Sequence, residues 1–354
     1  MRFQVTRALD AIEARMRTDP LLTGAIVDVA EAMRIPGSDG RLANLLRLGL
    51  VIDALSRHLA DESVAIYAVG SRSVLADTDL TSNERMALRR WSDDGMIEIL
   101  PAGTDALSRV CEVAWSVGQP VITARSLPGF PGARLVPAPA SGSVMLASAG
   151  SKSPQQRSQP VSRQWHCPVP GCPSFPPSGP QSPPQNSGTG IAVCPRHLER
   201  LVDAGPRPMT VPIALRIDGL AKYRFGLSAG APLVVGRAPD GPGAVVLGSY
   251  LAQHIVTRVS RSHLRLELRD GVIIVTDIST NGSLLNARPD RGAAPRVEAM
   301  TRGKPVALGE WDAVELAEGA EIGRADRGAG GAAGDQASSV MQDAPTVAIR
   351  LPKM

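Results

Sequence analysis

Between Val234 and Asn286 the chain reads VVGRAPDGPG, then VTRVSRSHLRLEL, then GVIIVTDISTNGSLLN. This stretch constrains the fold more than any other. Its short apolar runs, bounded by Gly, Pro, Asp and Ser, read as strands. Three motifs follow or precede those runs in a fixed order: Gly236-Arg237, Ser260-x-x-His263 and Asn281-Gly282. Each alone says little. Asn-Gly is the commonest hairpin signal, a Gly-Arg pair has no meaning by itself, and Ser-x-x-His suits an ordinary turn.

Together, in this order and on a β background, the motifs resemble the forkhead-associated (FHA) domain. The resemblance covers roughly Val211 to Arg324, a domain of residues 208–324. It implies an all-β sandwich whose loops bind phosphothreonine peptides. The chemistry of the residues suits that ligand. A phosphothreonine carries close to two negative charges and three acceptor oxygens. Arg237 offers a planar, permanently charged fork, Ser260 a hydroxyl, Arg261 a second cation and Thr280 a further donor. By the family pattern Asn281 holds the peptide backbone just after the phosphothreonine. Gly236, His263 and Gly282 are then structural, with His263 bracing the binding loop and Gly282 allowing a left-handed turn. Ser260, His263 and Asp277 invite a hydrolase reading, but no nucleophile elbow of the G-x-S-x-G kind is expected around any serine. Gly309-Glu310 stands where many FHA domains have Gly-Asp, a mild departure.

The first third of the chain has a different texture. Helical periodicity over Phe3 to Arg17 stops at Thr18-Asp19-Pro20. Gly24 to Val29, Val64 to Val69, Met96 to Leu100 and Pro120 to Thr123 read as short buried strands. Arg41 to His58, Leu80 to Ser92 and Asp105 to Val117 read as helices, with Thr81 or Ser82 as N-cap of the second. Alternating strands and helices predict a parallel sheet with helices on both faces. IVDVAEAMR, AGTDALSRVCEVA and GQPVIT, in that order, resemble PIN-like and NYN-like nuclease domains over residues 1–130. That resemblance implies acids at strand ends holding Mg2+ or Mn2+ for phosphodiester hydrolysis. Asp28, Glu31 and Asp105 are the weak catalytic candidates, with Asp77, Asp79 and Glu84 nearby but off the pattern. Glu31 falls where an asparagine is expected. Gly70-Ser71-Arg72 and Ala124-Arg125-Ser126 stand where further acids belong, and Arg125 puts a cation where metal should sit. The expected outcome is a degraded active site, with Asp28 and Asp105 serving equally well as helix caps or solvated strand ends.

Residues 131–164, rich in Pro, Ala, Ser and Gly, read as a flexible linker with a partial strand at Ser143 to Leu146. Then come His166-Cys167-x4-Cys172 and Cys194-Pro195-Arg196-His197. Two paired-ligand knuckles around a loop predict a structural zinc in a ribbon-like motif over residues 165–200, held by Cys167, Cys172, Cys194 and His197, with His166 as alternative ligand. The fourth cysteine, Cys111, lies in an apolar helical run and is expected in the core. Leu198 to Val202 reads as a short helix leading into the β domain. The tail, residues 325–354, is Gly/Ala/Ser-rich and predicted disordered. Its DAPTVAI sequence places Thr346 as a candidate kinase substrate and ligand for the chain's own Arg237 and Ser260.

A net charge of +4 over 354 residues does not call for nucleic acid, and 3% aromatics leave little for base stacking. No run approaches the ~20 apolar residues of a membrane span. The N-terminal MRFQVTRALDAIEARMR mixes both charges and does not resemble a signal peptide. These readings converge on a multidomain, cytoplasmic phosphothreonine-binding adaptor that serves a Ser/Thr kinase. The alternative is a metal-dependent ribonuclease recruited through the FHA domain.

Overall fold

The computed structural model describes residues 2–37, 39–101, 104–140, 143–149, 163–176, 181–186, 190–290 and 293–325. Thr346 and its flanking sequence lie outside them. The described chain forms two compact units, one of residues 2–58 and 64–207 and one of 59–63 and 208–325.

The first unit begins with α1 (Arg2–Glu13), β1 (Ala25–Asp28), α2 (Val29–Met33) and α3 (Arg47–Leu59). It continues with β2 (Ile66–Ser71), α4 (Ser82–Asp93), β3 (Ile97–Leu100), α5 (Ala106–Val117), β4 (Val121–Ile122), β5 (Arg134–Ala140) and β6 (Ser143–Ala149). The sheet order is β3-β2-β1-β4-β5-β6, parallel except for the antiparallel edge strand β6. All four residues of β1 are buried, as a parallel strand covered on both faces requires. Ile26, Tyr67, Val69, Leu100, Val110, Val113 and Val121 form the core beneath α5. Caps fix the helix ends. Thr81 and Glu84 make a reciprocal capping box on α4, and Gly118 ends α5 in the left-handed conformation at φ 72°.

Two expectations fail here for physical reasons. The helix read from Arg41 starts at Arg47, because residues 41–46 are held as a loop by buried polar groups. The Arg47 guanidinium donates to the Met33 carbonyl at 3.0 Å, and Glu84 accepts from Leu45 N at 2.9 Å and from Arg41. The linker read over 131–164 is in part regular structure. Residues 134–140 and 143–149 pair along their whole length and extend the sheet. Pro137 and Pro139 are tolerated because β4 reaches only Arg134 and Leu135, leaving that edge of β5 without a partner.

The unit closes with β7 (Arg163–His166), β8 (Gln185–Asn186), β9 (Ala192–Val193) and β10 (Val202–Pro206), in two small antiparallel ladders, β7 with β10 and β8 with β9. These ladders extend to Pro206, past residue 200 where the ribbon-like motif was expected to end. Its Pro-rich excursion is ordered where described: the Gln181 amide bonds the Trp165 N–H and carbonyl at 3.0 and 2.8 Å, and Arg109 donates to the Pro183 and Pro184 carbonyls. No helix forms over Leu198 to Val202. Leu198 takes φ 59°, its N–H returns to the Cys194 carbonyl at 2.8 Å, and Cys194 N–H reaches Glu199.

The second unit is a pair of sheets. One contains β12 (Leu220–Ser228), β11 (Thr210–Ile217), β21 (Ala320–Arg324), β20 (Ala313–Ala317), β17 (Leu284–Ala287) and β18 (Arg296–Ala299), in that order. The other contains β14 (Ala244–Val246), β13 (Leu233–Gly236), β15 (Leu264–Arg269), β16 (Val272–Asp277) and β19 (Pro305–Leu308). Alternate residues such as Leu264, Leu266, Leu268, Ile273, Val275, Val314 and Ile322 fill one apolar core. Between β14 and β15 the chain is pinned by Leu247, Leu251, Ile255 and Val259, four residues apart and all buried; α6 (Gln253–Val256) forms one turn of it. Asn281-Gly282 makes no hairpin, because β16 and β17 belong to different sheets. No helix among the described residues is long and apolar enough to cross a membrane.

Candidate functional site

The loops leaving β13, preceding β15 and following β16 meet at one place. Gly236 ends β13, and a Cβ there would lie 2.1 Å from the Arg261 carbonyl oxygen and 2.8 Å from that of Ser260. Only glycine lets the two backbones touch. The contact is sealed by Arg237 N–H donating to Ser260 O at 3.0 Å and Ala238 N–H to Arg261 O at 3.2 Å. Arg237 is exposed, and its guanidinium has no hydrogen bond or ion pair among the described residues. The Ser260 and Thr280 hydroxyls are 3.1 Å apart, and Thr280 N–H donates to Ser260 Oγ at 3.1 Å.

His263 is fully buried. Its Nδ1 accepts the Ser260 N–H at 3.0 Å, which leaves the proton on Nε2, facing Ser283 Oγ at 3.1 Å. Burial lowers its pKa and keeps the ring neutral. His263 thus bonds the backbone N–H of Ser260 and not its hydroxyl. Gly282 is left-handed at φ 82°, and its N–H is held by Ser279 Oγ at 2.8 Å. Asn281 donates its amide to the Arg258 carbonyl at 2.7 Å. Arg261 is not free; it pairs with Asp240 at 2.9 Å. A G-x-S-x-G string does occur elsewhere, at residues 226–230. There Ser228 ends β12 against the Thr210 hydroxyl, 2.8 Å away, with a turn and no helix after it.

Cys167, Cys172, Cys194 and His197 bring their ligand atoms within 4.8 Å of one another, the only such His/Cys/Asp/Glu group among the described residues. Cys172 Sγ and Cys194 Sγ are 3.8 Å apart, and His197 Nδ1 is 3.4 Å from Cys167 Sγ and 3.6 Å from Cys194 Sγ. Four tetrahedral ligands at about 2.3 Å (S) and 2.0–2.1 Å (N) from a centre stand about 3.5–3.8 Å apart, so the set fits a tetrahedral cation. The electrostatics fit as well. Burial pushes the Cys194 thiol up to about 12 and raises Cys167, the charge cost a bound cation would remove. Burial lowers His197, favouring its neutral, ligating form. His166, the alternative ligand, is exposed on β7 and outside the group. Cys111 is half-buried on α5 and not in the core.

No family model matches the chain, and no curated protein matches it. Solved structures similar to about a third of it are FHA domains. The FHA domain of human APLF, solved with an XRCC1 bisphospho peptide, is 24% identical, with 31% of this chain and 95% of that one covered at a TM-score of 0.23. An FHA domain of an Arabidopsis thaliana hypothetical protein is 24% identical over 34% and 89%, TM-score 0.25. That of the CT664 protein from Chlamydia trachomatis is 18% identical over 31% and 93%, TM-score 0.22.

The strand-end acids of the first unit are occupied by the protein itself. Asp28 caps α2, accepting from Ala30 N at 2.8 Å and Glu31 N at 3.3 Å, and burial raises its pKa. Asp105 caps α5 through Leu107 N and Ser108 N, and the Ser108 hydroxyl at 2.7 Å is the main cause of its lowered pKa. Glu31 accepts from the Thr123 hydroxyl at 2.7 Å, Ala124 N at 2.7 Å and Arg125 N at 3.3 Å. Arg125 acts electrostatically on both Asp28 and Asp105. Off the pattern, Asp77 pairs with Arg34, the Asp79 carbonyl accepts from Arg41, and Glu84 is tied into the loop network above.

Proposed function

We propose that this chain is a phosphothreonine-peptide-binding adaptor that acts in Ser/Thr kinase signalling through its second unit, as an FHA domain. What supports the reading is Arg237, whose side chain has no partner among the described residues and whose backbone N–H is bonded to the carbonyl of Ser260, the residue whose hydroxyl meets that of Thr280. A permanent fork beside neutral donors suits a phosphate dianion. Asn281 contributes to the peptide backbone, and Arg261 joins once it leaves Asp240. The metal centre belongs to the same proposal as a structural zinc: four protein ligands leave no open position for substrate. A cytoplasmic setting agrees with three cysteines acting as thiolate ligands. The alternative ribonuclease, with Mg2+ or Mn2+ at Asp28, Glu31 and Asp105 of a PIN-like domain, has no observation in its favour, since each acid is engaged by helix or loop donors. The tail carrying Thr346 remains a candidate intramolecular ligand, favoured by its tether.

Fluorescence anisotropy with phosphothreonine peptides tests the reading. Wild type should bind with strict dependence on the phosphate. Arg237→Ala should weaken binding by about 100-fold, the loss of two charge-assisted hydrogen bonds. A folded protein with no phosphate-dependent binding, with or without residues beyond Arg324, would sink the proposal. Elemental analysis of the purified chain should find one zinc per molecule, lost in Cys194→Ser; a zinc-free, fully folded chain would refute the structural role.

A further inference from the structure

Arg109, on α5, is buried and paired with Glu98 of β3 at 2.6 Å, which is buried as well. An ion pair this deep is tolerated only when its remaining hydrogen-bonding groups find partners. A guanidinium has five N–H donors, and here all five are used. Two go to the Glu98 oxygens at 2.6 and 3.2 Å, and one to Glu112 at 2.9 Å. The last two go to the Pro183 and Pro184 carbonyls at 2.7 and 3.2 Å. Those carbonyls belong to the Pro-rich excursion between Cys172 and Cys194, where residues 181–184 are all buried. Neither proline has an N–H, so the excursion offers acceptors here and α5 supplies the donors. Each side satisfies groups that the other leaves bare. The rest of the excursion is anchored nearby. Pro173, just after Cys172, packs on Gly95 in the turn before β3, where a Cβ would lie 2.8 Å from it. Asn186 N–H donates to Glu112 at 3.2 Å, and Arg196, between Cys194 and His197, donates to the Ser92 carbonyl near the end of α4.

Resting on the zinc reading above, we infer that the Cys167, Cys172, Cys194 and His197 centre is a metal-operated latch on the parallel sheet: metal at the two ends of the excursion holds Pro183 and Pro184 on Arg109, and loss of the metal opens the buried Arg109–Glu98 pair to water. A self-contained zinc ribbon would fold and unfold without its neighbours. This one shares a buried charge with them. Breaking a buried ionic network by removing some of its partners is far more costly than losing exposed hydrogen bonds. Metal that binds only the closed arrangement therefore stabilises α5 and β3 along with its own ligands. The coupling is reciprocal, so whatever loosens Arg109 must weaken the metal by the same factor. The first unit is thereby a metal-responsive module.

The test uses the full chain, with its zinc content measured first. Amide hydrogen exchange is read by mass spectrometry before and after a chelator removes the metal at constant pH. Residues 163–206 should lose protection, and α5 and β3 should lose it with them, exchanging about tenfold faster or more. The reverse arm measures zinc affinity by competition with a chromophoric chelator. Arg109→Lys keeps the charge with only three donors and should weaken zinc about tenfold. Glu112→Ala, at a half-buried position, removes the acceptor of Asn186 N–H and should weaken zinc about threefold. If Arg109→Lys fails to fold, the wild-type exchange and Glu112→Ala still decide. Zinc bound, with the exchange change confined to residues 163–206 or with zinc affinity unaltered in the folded variants, would overturn the latch and leave a structural zinc intact. A folded wild type that binds no zinc would remove the zinc reading and the latch together.

Discussion

At the loops following β13 and β16 the Arg237 side chain has no partner among the described residues, although the Ser260 and Thr280 hydroxyls meet each other, Asn281 bonds the Arg258 carbonyl and Arg261 pairs with Asp240. After β1, β3 and β4 the opposite holds. Asp28 and Asp105 are spent on helix N-termini, and Glu31 on the Thr123 hydroxyl and two backbone N–H groups. Both clusters hold side chains suited to phosphate chemistry. What separates them is free valence. A residue of the right type in the right place makes a site only when the fold satisfies its surroundings without consuming it.

The sharpest way to break that comparison is to disturb each support. Gly236→Ala places a Cβ 2.1 Å from the Arg261 carbonyl oxygen, and backbone on both sides must move. A displacement of about 1 Å at a preorganised site costs on the order of 100-fold, so phosphopeptide affinity should fall at least that far, measured as for Arg237→Ala. The matching change in the first unit, Asp28→Ala, removes only a cap. It should cost about 1 kcal/mol of stability in urea unfolding. It should leave catalysis untouched, because no Mn2+-dependent RNA cleavage is expected in wild type. Cleavage by wild type that Asp28→Asn abolishes would collapse the distinction between the two clusters.

The same contrast explains what could be read from the sequence. Gly236-Arg237, Ser260-x-x-His263 and Asn281-Gly282 are legible because their roles are local: a glycine that two backbones touch, a ring that caps a loop three residues away, a left-handed turn. Cys167, Cys172, Cys194 and His197 are legible because ligand chemistry restricts spacing. The misreadings share another cause. Residues 41–46 have helical periodicity, but Glu84, some forty positions away, binds their backbone and side chains. Residues 134–149 have the composition of a linker, yet an available sheet edge makes them strands. Leu198 closes the turn that begins at Cys194, and its left-handed backbone reverses the chain over residues read as a helix. From sequence Asp28 and Asp105 stay open between helix caps, solvated strand ends and metal ligands, and the engagement of Glu31 by the loop after β4, and of Arg261 by Asp240, exists only in tertiary structure.

The smallest expected effect concerns pH, and it sharpens the comparison because the groups respond with different signs. His263 is held neutral by burial, with its pKa below the ordinary value near 6.5. The unfolded chain therefore binds a proton at this position that the folded chain refuses. The stability this contributes is fully present above pH 6.5 and is lost as pH falls below it, at no more than about 1.4 kcal/mol per pH unit. Asp105, lowered by its Ser108 hydrogen bonds, has the same sign but in a window below 3.8; Asp28, raised by burial, has the opposite sign. Urea unfolding of wild type and His263→Asn between pH 8 and pH 5 isolates the histidine. Asparagine does not titrate, so the stability gap between the two proteins should narrow as pH falls from 6.5. Stability is the right readout, because the phosphothreonine itself titrates near pH 6 and would mask the effect in a binding curve. A gap that stays constant across this range would mean that His263 is not the buried neutral brace its hydrogen bonds describe.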